Sequence, residues 1–229
     1  MKRILALSMI LLLGLSGSVW AYSINYSFAV DGTGNGYTSP YAGASVESFD
    51  SVYWNGSAWV GFDLFMGMTG SGDFVTGSVA NNYAAPYGIS GPDSTQYVTV
   101  PQPLDPGFST GMSFFAFLPA TYNYLGLWWG SVDTYNEIRF YSQGSLTPHT
   151  IITGPAAINP STANGNQTAP STNLYVNILD LPDFDSFEMR STNYAFEADN
   201  IAVMYVPEPA TMLLLALGLI GITGIRRKM

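Results

Sequence analysis

Two uncharged apolar segments bracket the chain, residues 4–15 and residues 210–225, and basic residues lie on the outer side of each segment. Basic residues beside an apolar segment stay on the cytoplasmic side of a membrane. Both ends therefore predict that residues 22 to about 206 face outward. That length is sufficient for one domain with a single sizeable core, and it is short for two domains with a core each.

The N-terminal segment has the parts of a secretory signal peptide. Lys2 and Arg3 form its basic region, residues 4–15 form its apolar region, and Val19 and Ala21 are the small residues three and one positions before a cut. We expect export through the Sec translocon and cleavage after Ala21 by signal peptidase. An uncleaved anchor is the alternative, but the short apolar region and the small residues that follow it favour cleavage.

The C-terminal segment belongs to a three-part tail made of a Pro-Glu-Pro element, an uncharged stretch and a basic cluster. Its characteristic residues are Pro207, Glu208, Pro209, Arg226, Arg227 and Lys228. As a helix, the stretch at 210–225 would span roughly 24 Å, somewhat less than a hydrocarbon core of ~30 Å. Snorkelling of the basic residues and local bilayer thinning close the gap. We therefore predict a single C-terminal transmembrane helix.

These three elements, in this order at the C-terminus of a chain with a signal peptide, resemble the PEP-CTERM sorting signal. The resemblance implies a Gram-negative bacterium that makes exopolysaccharide. It also implies cleavage near Pro-Glu-Pro by exosortase, a membrane cysteine protease, after transient anchoring in the inner membrane. The prolines suit this role because they favour the extended backbone that a protease cleft requires. A plain single-span anchor is the alternative. A GPI signal fits less well because its apolar tail normally lacks the terminal basic cluster.

The charges of the chain are unevenly placed. All sixteen acidic residues lie between Asp31 and Glu208, where Arg139 and Arg190 are the only two basic residues, so this region carries a net charge of −14. Phosphate backbones repel so acidic a chain, which argues against nucleic-acid binding. The absence of cysteine excludes thiol catalysis and Cys-based metal sites, and the single histidine, His149, excludes a multi-His zinc site within one chain.

The region between the ends is rich in glycine, proline and aromatic residues, and several of its segments alternate with period two. This pattern predicts an all-β domain, an antiparallel β-sandwich or jelly-roll-like fold. The expected strands are 24–30, 113–118, 124–129, 137–141, 174–179, 186–190 and 194–206, with a long loop at 153–172. The predicted units are a signal peptide at 1–21, a β-sandwich ectodomain at 22–206 and the sorting signal at 207–229.

A second resemblance covers residues 125–204. The series from Gly126-Leu127-Trp128-Trp129-Gly130 to Tyr194-Ala195-Phe196-Glu197-Ala198-Asp199-Asn200 is similar to the ectodomain of a group of exosortase-dependent surface proteins. The resemblance implies a jelly-roll-like domain with no established enzymatic activity, and it supplies no catalytic residues.

Glu197 and Asp199 are the candidate metal ligands. Side chains alternate along a strand, so these two carboxylates share one face while Phe196 and Ala198 lie on the other. If the alternation continues past Asn200, Ala202 and Met204 join the apolar face. A structural calcium is one hypothesis, but it needs six to eight oxygens, so Asp133, Asn136 or backbone carbonyls would have to contribute. A solvated strand face, or hydrogen bonding to a neighbouring turn, is the alternative.

Tryptophans are candidates for stacking on sugars, but core packing is the preferred interpretation for each of them. They are Trp54, Trp59, Trp128 and Trp129. Because the last two are adjacent, they must point to opposite faces of a strand, so at most one is exposed on a given face.

Other motifs give little support for chemistry. The loop at 31–36 begins like an EF-hand but has Ala42 where a bidentate glutamate belongs, so a turn is expected. Glu137 and Glu188, like Glu197, could serve a glycosidase, yet nothing in the sequence pairs them. His149 lies in a turn-like context without a nucleophile elbow and is interpreted as a surface residue.

We therefore expect a non-enzymatic, exosortase-processed surface or matrix protein with a structural or adhesive role linked to exopolysaccharide and biofilm. A carbohydrate-binding module without catalysis is the alternative, and a secreted glycan-active enzyme is the least favoured class. No cofactor is expected other than the possible structural calcium.

Overall fold

The computed structural model describes residues 21–102, 112–142 and 144–207. The predicted signal peptide up to Trp20, with Val19, lies outside the described residues, as do the predicted transmembrane helix and Glu208, Pro209, Arg226, Arg227 and Lys228. Within the described ranges, no helix has the length and apolar character needed to cross a bilayer.

Nearly all regular structure in the described residues is β-strand, as the alternating pattern predicts. One sheet, called sheet I, contains β1 (Ser23–Asn25), β4 (Ser45–Glu47), β8 (Asp73–Val75), β9 (Tyr97–Val100), β11 (Tyr124–Gly130), β14 (Leu174–Leu179) and β16 (Phe196–Met204). The other, called sheet II, contains β7 (Gly67–Gly70), β10 (Met112–Tyr122), β12 (Asn136–Tyr141), β13 (Thr150–Thr153) and β15 (Phe184–Ser191). Two small hairpins and one short helix complete the elements: β2 (Ala29–Val30) with β3 (Tyr37–Thr38), β5 (Tyr53–Trp54) with β6 (Trp59–Val60), and α1 (Gly154–Ala157).

Every strand pair is antiparallel, which confirms the predicted all-β class with antiparallel sheets. Sheet I has the order β1-β14-β11-β16-β9-β8, and β4 pairs with the second half of β16. Sheet II has the order β13-β12-β15-β10-β7. From β10 to β16 the chain passes from one sheet to the other at nearly every connection. A jelly-roll-like topology remains a prediction.

The main hydrophobic core contains the inward side chains of both sheets. Trp129 of β11 stacks on Phe196 of the adjacent β16, with ring centroids 4.5 Å apart and planes 16° apart. Phe74 of sheet I meets Phe114 of sheet II edge-on at 6.0 Å. Aromatic residues bury large areas and pack edge-on or offset, so they dominate this core. The aromatic-rich runs of the sequence therefore supply a large part of this core.

A bulge in β16 makes one expectation about this strand wrong. Asn200 has a left-handed backbone (φ 48°), and the pairing with β11 shifts by one residue at this point. Because a bulge inserts one extra residue, the alternation changes phase. Phe196 and Ala198 face the core as expected, but Ile201 and Val203 follow them there instead of Ala202 and Met204.

The strand expected at 24–30 is divided into β1 and β2. Asn25 ends β1, because its Oδ1 accepts hydrogen bonds from the Ser27 amide at 3.2 Å and the Ser27 hydroxyl at 2.7 Å. Such an Asx turn offers the backbone an alternative to the sheet ladder. The loop expected at 153–172 is confirmed except for one turn of helix, α1.

The outer face of sheet I is covered by loops. Residues 31–41 and 76–95 fold over it, so that Tyr37 packs on Trp128 at 5.3 Å and the Tyr124 hydroxyl bonds to the Ser39 hydroxyl at 2.8 Å. Sheet I is consequently buried on both faces. This second buried layer contains the carboxylates that the sequence analysis singled out.

Candidate functional site

The junction between the domain and its tail is held by one asparagine side chain. Asn123, between β10 and β11, accepts a hydrogen bond from the Val206 amide at 2.6 Å and donates one to the Val206 carbonyl at 2.7 Å. Backbone bonds fix the turn itself, since the Asn123 amide donates to the Met204 carbonyl and its carbonyl accepts from the Leu181 amide. Pro207, the first residue of the predicted Pro-Glu-Pro element, follows Val206 directly.

Glu197 lies on the outer face of sheet I with only 2% of its surface exposed. Its Oε1 accepts a hydrogen bond from the Ala84 amide and its Oε2 accepts one from the Ser131 hydroxyl, both at 2.9 Å. Burial raises the pKa of Glu197 to about 7; these hydrogen bonds oppose the rise, and the charge of Asp133 adds to it. Hydrogen bonding to a neighbouring turn, one of the two alternatives to calcium, is therefore present.

A polar pocket of about 290 Å³ opens beside Glu197. Asp133 and Tyr135 line it, and the Tyr135 hydroxyl donates to the Tyr194 carbonyl at 2.6 Å. Asn136 is engaged elsewhere, because its side chain donates to Ser191 and Ala195 and accepts from the Asp133 amide.

Asp199 faces a second buried carboxyl group. Asp199 is 1% exposed and Asp93 is 4% exposed, and the two groups lie within hydrogen-bonding reach of each other. Asp93 Oδ2 and Asp199 Oδ1 have no donor among the described residues. Burial first, and then the charge of Asp93, raises the pKa of Asp199 well above its ordinary value. A proton on one carboxyl group would satisfy both oxygens.

These positions answer part of the metal hypothesis. Glu197 and Asp199 share a face, as predicted, because they pair with Gly130 and Trp128 of β11. The alternative of a solvated strand face is wrong, because loops cover the side chains of Glu197 and Asp199. In the ranges that the structure describes, no group of three or more His, Cys, Asp or Glu side chains is arranged to hold a metal ion. Calcium at Glu197 and Asp199 stays a prediction.

The β5–β6 hairpin presents two tryptophans side by side. Trp54 and Trp59 are directly paired across the hairpin, and their rings meet edge-on with centroids 5.7 Å apart. Trp59 also packs edge-on against Phe74 of the core at 4.9 Å. Trp54 is 54% exposed, so the expectation of core packing is wrong for this residue. The hairpin lies on the surface, and only Trp59 reaches the core.

A groove of about 560 Å³ lies beside this aromatic pair. The hairpin forms one wall, and β7 with the start of β8 forms the other. Polar side chains of both walls line it, together with Met68 and two glycines. The polar members are Ser57, Thr69, Asp73 and Gln102, and the glycines are Gly70 and Gly72.

Trp128 and Trp129 point to opposite faces of β11, as predicted. Trp129 belongs to the main core, and Trp128 is buried on the outer face beneath Tyr37. Both are fully buried, so neither is available for stacking on a ligand.

Glu137 and Glu188 lie on the outer face of sheet II, on the opposite side of the core from Glu197. Arg139 and Arg190 both contact Glu137, at 2.5 and 2.8 Å, and Arg139 also lies 3.8 Å from Glu188. The hydroxyls of Tyr141 and Ser113 donate to Glu188. The two glutamates thus belong to an ion-pair network.

The remaining motifs behave as expected. His149 is exposed, and its Nδ1 lies 3.0 Å from the Thr150 hydroxyl. Asp31 closes a turn, since its Oδ1 accepts from the amides of Thr33, Gly34 and Gly36.

Comparison with protein families identifies the tail. The family model for the PEP-CTERM protein-sorting motif matches residues 206–228, so the chain carries this sorting motif. The match begins at Val206, the residue held by Asn123. No curated protein and no solved structure matched the chain.

The sequence analysis missed the Asn123 contacts and the exposed tryptophan. The Asn123 contacts had no sequence signal, because they join residues 83 positions apart. Trp54 did have one: the four residues Asn55-Gly56-Ser57-Ala58 between Tyr53-Trp54 and Trp59-Val60 include a glycine and are typical of a hairpin with a longer loop. That signal places Trp54 opposite Trp59 on a small surface hairpin.

Proposed function

We propose that this chain is an exported surface or extracellular-matrix protein that exosortase processes, with a structural or adhesive role linked to exopolysaccharide. The observation that carries the proposal is the match of the PEP-CTERM sorting motif to residues 206–228, directly after a folded antiparallel β-domain. In this proposal, signal peptidase removes the signal peptide after Sec export. The tail then anchors the protein in the inner membrane of a Gram-negative bacterium until exosortase cuts it.

The junction supports this route. Asn123 ties down both polar backbone atoms of Val206, so the folded domain ends one residue before Pro207. The two prolines then favour an extended backbone close to the bilayer, where a membrane protease acts. A released domain that is acidic and free of lysine suits a solvated matrix.

We further propose that the domain acts without catalysis. Glu137 and Glu188 are engaged with arginines on one side of the core, and Glu197 lies on the other side. A glycosidase requires two carboxyl groups free to act across one bond, whereas Glu137 and Glu188 share Arg139 as an ion-pair partner. A jelly-roll-like module that binds carbohydrate is the second candidate, favoured by the exposure of Trp54.

The deciding experiment is the intact mass of the mature protein from its native host, with and without exosortase. We expect a mass that lacks residues 1–21 and the tail beyond about Pro209 only where exosortase is present. A mass that retains residues 212–229 in both strains would mean a plain membrane anchor and would overturn the sorting proposal.

Substitution of the processing element tests the same route in one strain. The double variant Pro207→Ala with Glu208→Ala is expected to accumulate as uncut, membrane-bound precursor, measured by membrane fractionation and mass. Pro40→Ala, at an exposed position far along the chain, is the control and should be processed like the parent. Unchanged processing of the double variant would contradict the proposal.

A further inference from the structure

We infer that the groove between the β5–β6 hairpin and strands β7 and β8 binds a neutral polysaccharide, with Trp54 as its stacking platform. The inference deepens the proposed role and rests on it only for the source of the polysaccharide. It adds a defined binding site and specifies that the ligand is uncharged.

The aromatic wall is held in place before any ligand arrives. Trp59 is fixed on Phe74, and Trp54 leans edge-on against Trp59, so the exposed indole is supported from behind. The turn is fixed as well, because Asn55 Oδ1 accepts from the amides of Ser57 and Ala58. A large side chain that is already ordered loses little rotamer freedom on binding. The C–H face of a pyranose ring is a suitable partner for such a flat apolar surface.

The opposite side of the groove supplies hydrogen-bonding groups. Hydroxyl, amide and carboxylate side chains occur there within one groove, which matches the mixed donors and acceptors at the edges of a sugar ring. The two glycines of this wall are required by packing against the neighbouring strand: a Cβ at Gly72 would lie 2.5 Å from the Phe114 ring and one at Gly70 would lie 2.0 Å from the Ser113 carbonyl oxygen. The volume also falls within the ~300–1,000 Å³ typical of ligand sites.

Charge selects the class of polysaccharide. Asp73 is the one ionisable side chain among the described residues that line the groove. The surrounding region has sixteen acidic and two basic residues, and both arginines are engaged with Glu137 on sheet II. A polymer rich in uronic acids or sulfates would therefore meet repulsion without a compensating cation. A neutral polysaccharide meets no such repulsion and needs no compensating cation.

The test is affinity electrophoresis of the full chain, solubilised in detergent from cells without exosortase. The probes are the neutral and acidic fractions of the extracellular polysaccharide of the producing bacterium, separated by anion exchange. We expect the neutral fraction to retard the parent. Trp54→Ala should weaken binding about tenfold or more, because an exposed aromatic platform is lost. Tyr53→Ala is the matched control, since Tyr53 is 60% exposed on the same hairpin but does not line the groove.

A second readout follows Trp54 directly. On addition of the neutral fraction we expect a blue shift and reduced acrylamide quenching of tryptophan fluorescence, both absent in Trp54→Phe. No retardation by the neutral fraction, equal loss in Tyr53→Ala, or stronger binding of the acidic fraction would overturn the inference. So would a dimer in sedimentation that Trp54→Ala converts to monomer, since the groove would then be a self-interface. Because the chain is unprocessed, failure of the sorting proposal would not affect these results.

Discussion

Both sheets carry carboxylate side chains on their outer faces, but different partners stabilise the carboxylates of each sheet. On sheet II, Glu137 accepts hydrogen bonds from the two arginines of the domain, and Glu188 lies beside one of these arginines and accepts hydrogen bonds from two hydroxyls. On sheet I, Glu197 and Asp199 are buried more deeply, and their partners are a backbone amide, a hydroxyl and a second carboxyl group. The first face resembles a conventional ion-pair network. The second holds carboxyl groups that burial drives toward the protonated form.

The difference follows from the number of cations. Two arginines serve the whole region between Asp31 and Glu208, and sheet II holds both of them. Carboxyl groups elsewhere must be satisfied by amides, hydroxyls, protons or a bound cation. Glu197 accepts hydrogen bonds from an amide and a hydroxyl. Asp93 Oδ2 and Asp199 Oδ1, by contrast, have no donor among the described residues, and the two carboxyl groups face each other. Stability should therefore respond to pH on one face and to salt on the other.

The largest expected effect is a loss of stability as pH rises. The pKa of Glu197 is raised from its ordinary 4.5 to about 7, so the folded state keeps a proton that the unfolded chain releases. Its contribution is fully present below pH 4.5 and is lost as pH rises toward and through 7. By linkage, the loss amounts to about 3 kcal/mol of unfolding free energy. Denaturant unfolding at pH 4.5 and pH 8 measures it.

Glu197→Gln is the control for this prediction. Glutamine can still accept from the Ala84 amide and bond to Ser131, but it does not titrate. The variant should lose about 3 kcal/mol less than the parent over the same interval. A residual decline is expected from Asp93 and Asp199, whose raised pKa values act in the same direction. Parallel pH profiles for parent and variant would show that Glu197 is not protonated in the folded state.

The next effect concerns the paired face. Glu188→Ala leaves the hydroxyls of Tyr141 and Ser113 without their acceptor and removes one partner of Arg139. We expect a loss of about 2 kcal/mol in unfolding free energy, and a smaller loss for the isosteric Glu188→Gln.

Salt separates the two faces. In 1 M NaCl, where the Debye length is about 3 Å, the penalty for Glu188→Gln should shrink because the ion pairs are partly exposed. The pH dependence due to Glu197 should persist because the group is shielded from solvent. If salt changed both effects equally, the contrast between the faces would be wrong.

The smallest expected effect is that of calcium on the buried carboxylates. If Glu197 and Asp199 contribute to a calcium site, calcium at ten times its dissociation constant should stabilise the parent by about 1.4 kcal/mol. Asp199→Asn should abolish the rise in melting temperature, and magnesium should not reproduce it. The rise should be larger at pH 8 than at pH 5, because protons compete for the same oxygens. No rise in the parent would remove the calcium hypothesis and leave the shared proton between Asp93 and Asp199.

Much of the strand pattern was predictable because period-two alternation is local. The segment at 174–179 coincides with β14, and those at 113–118, 124–129 and 137–141 lie within β10, β11 and β12. The failures have local causes that alternation does not reveal. The Asx turn of Asn25 interrupts one strand, and the left-handed Asn200 shifts the phase of another. A side chain that hydrogen-bonds to the nearby backbone is enough to interrupt a strand, and one added residue is enough to shift the phase of its alternation.

The sequence by itself determined that the chain carries the sorting motif, that it is β-rich, and which residues share a strand face. These follow from apolar length, flanking charge and side-chain alternation, all of which are properties of neighbouring residues. Only the tertiary structure decided that Glu197 and Asp199 are buried, that Trp54 is exposed, and that Asn123 holds Val206. Alternation assigns a residue to a face but does not say whether a distant segment covers that face. Residues 76–95 cover one face of sheet I through contacts such as the Ala84 amide with Glu197, across 113 positions of sequence.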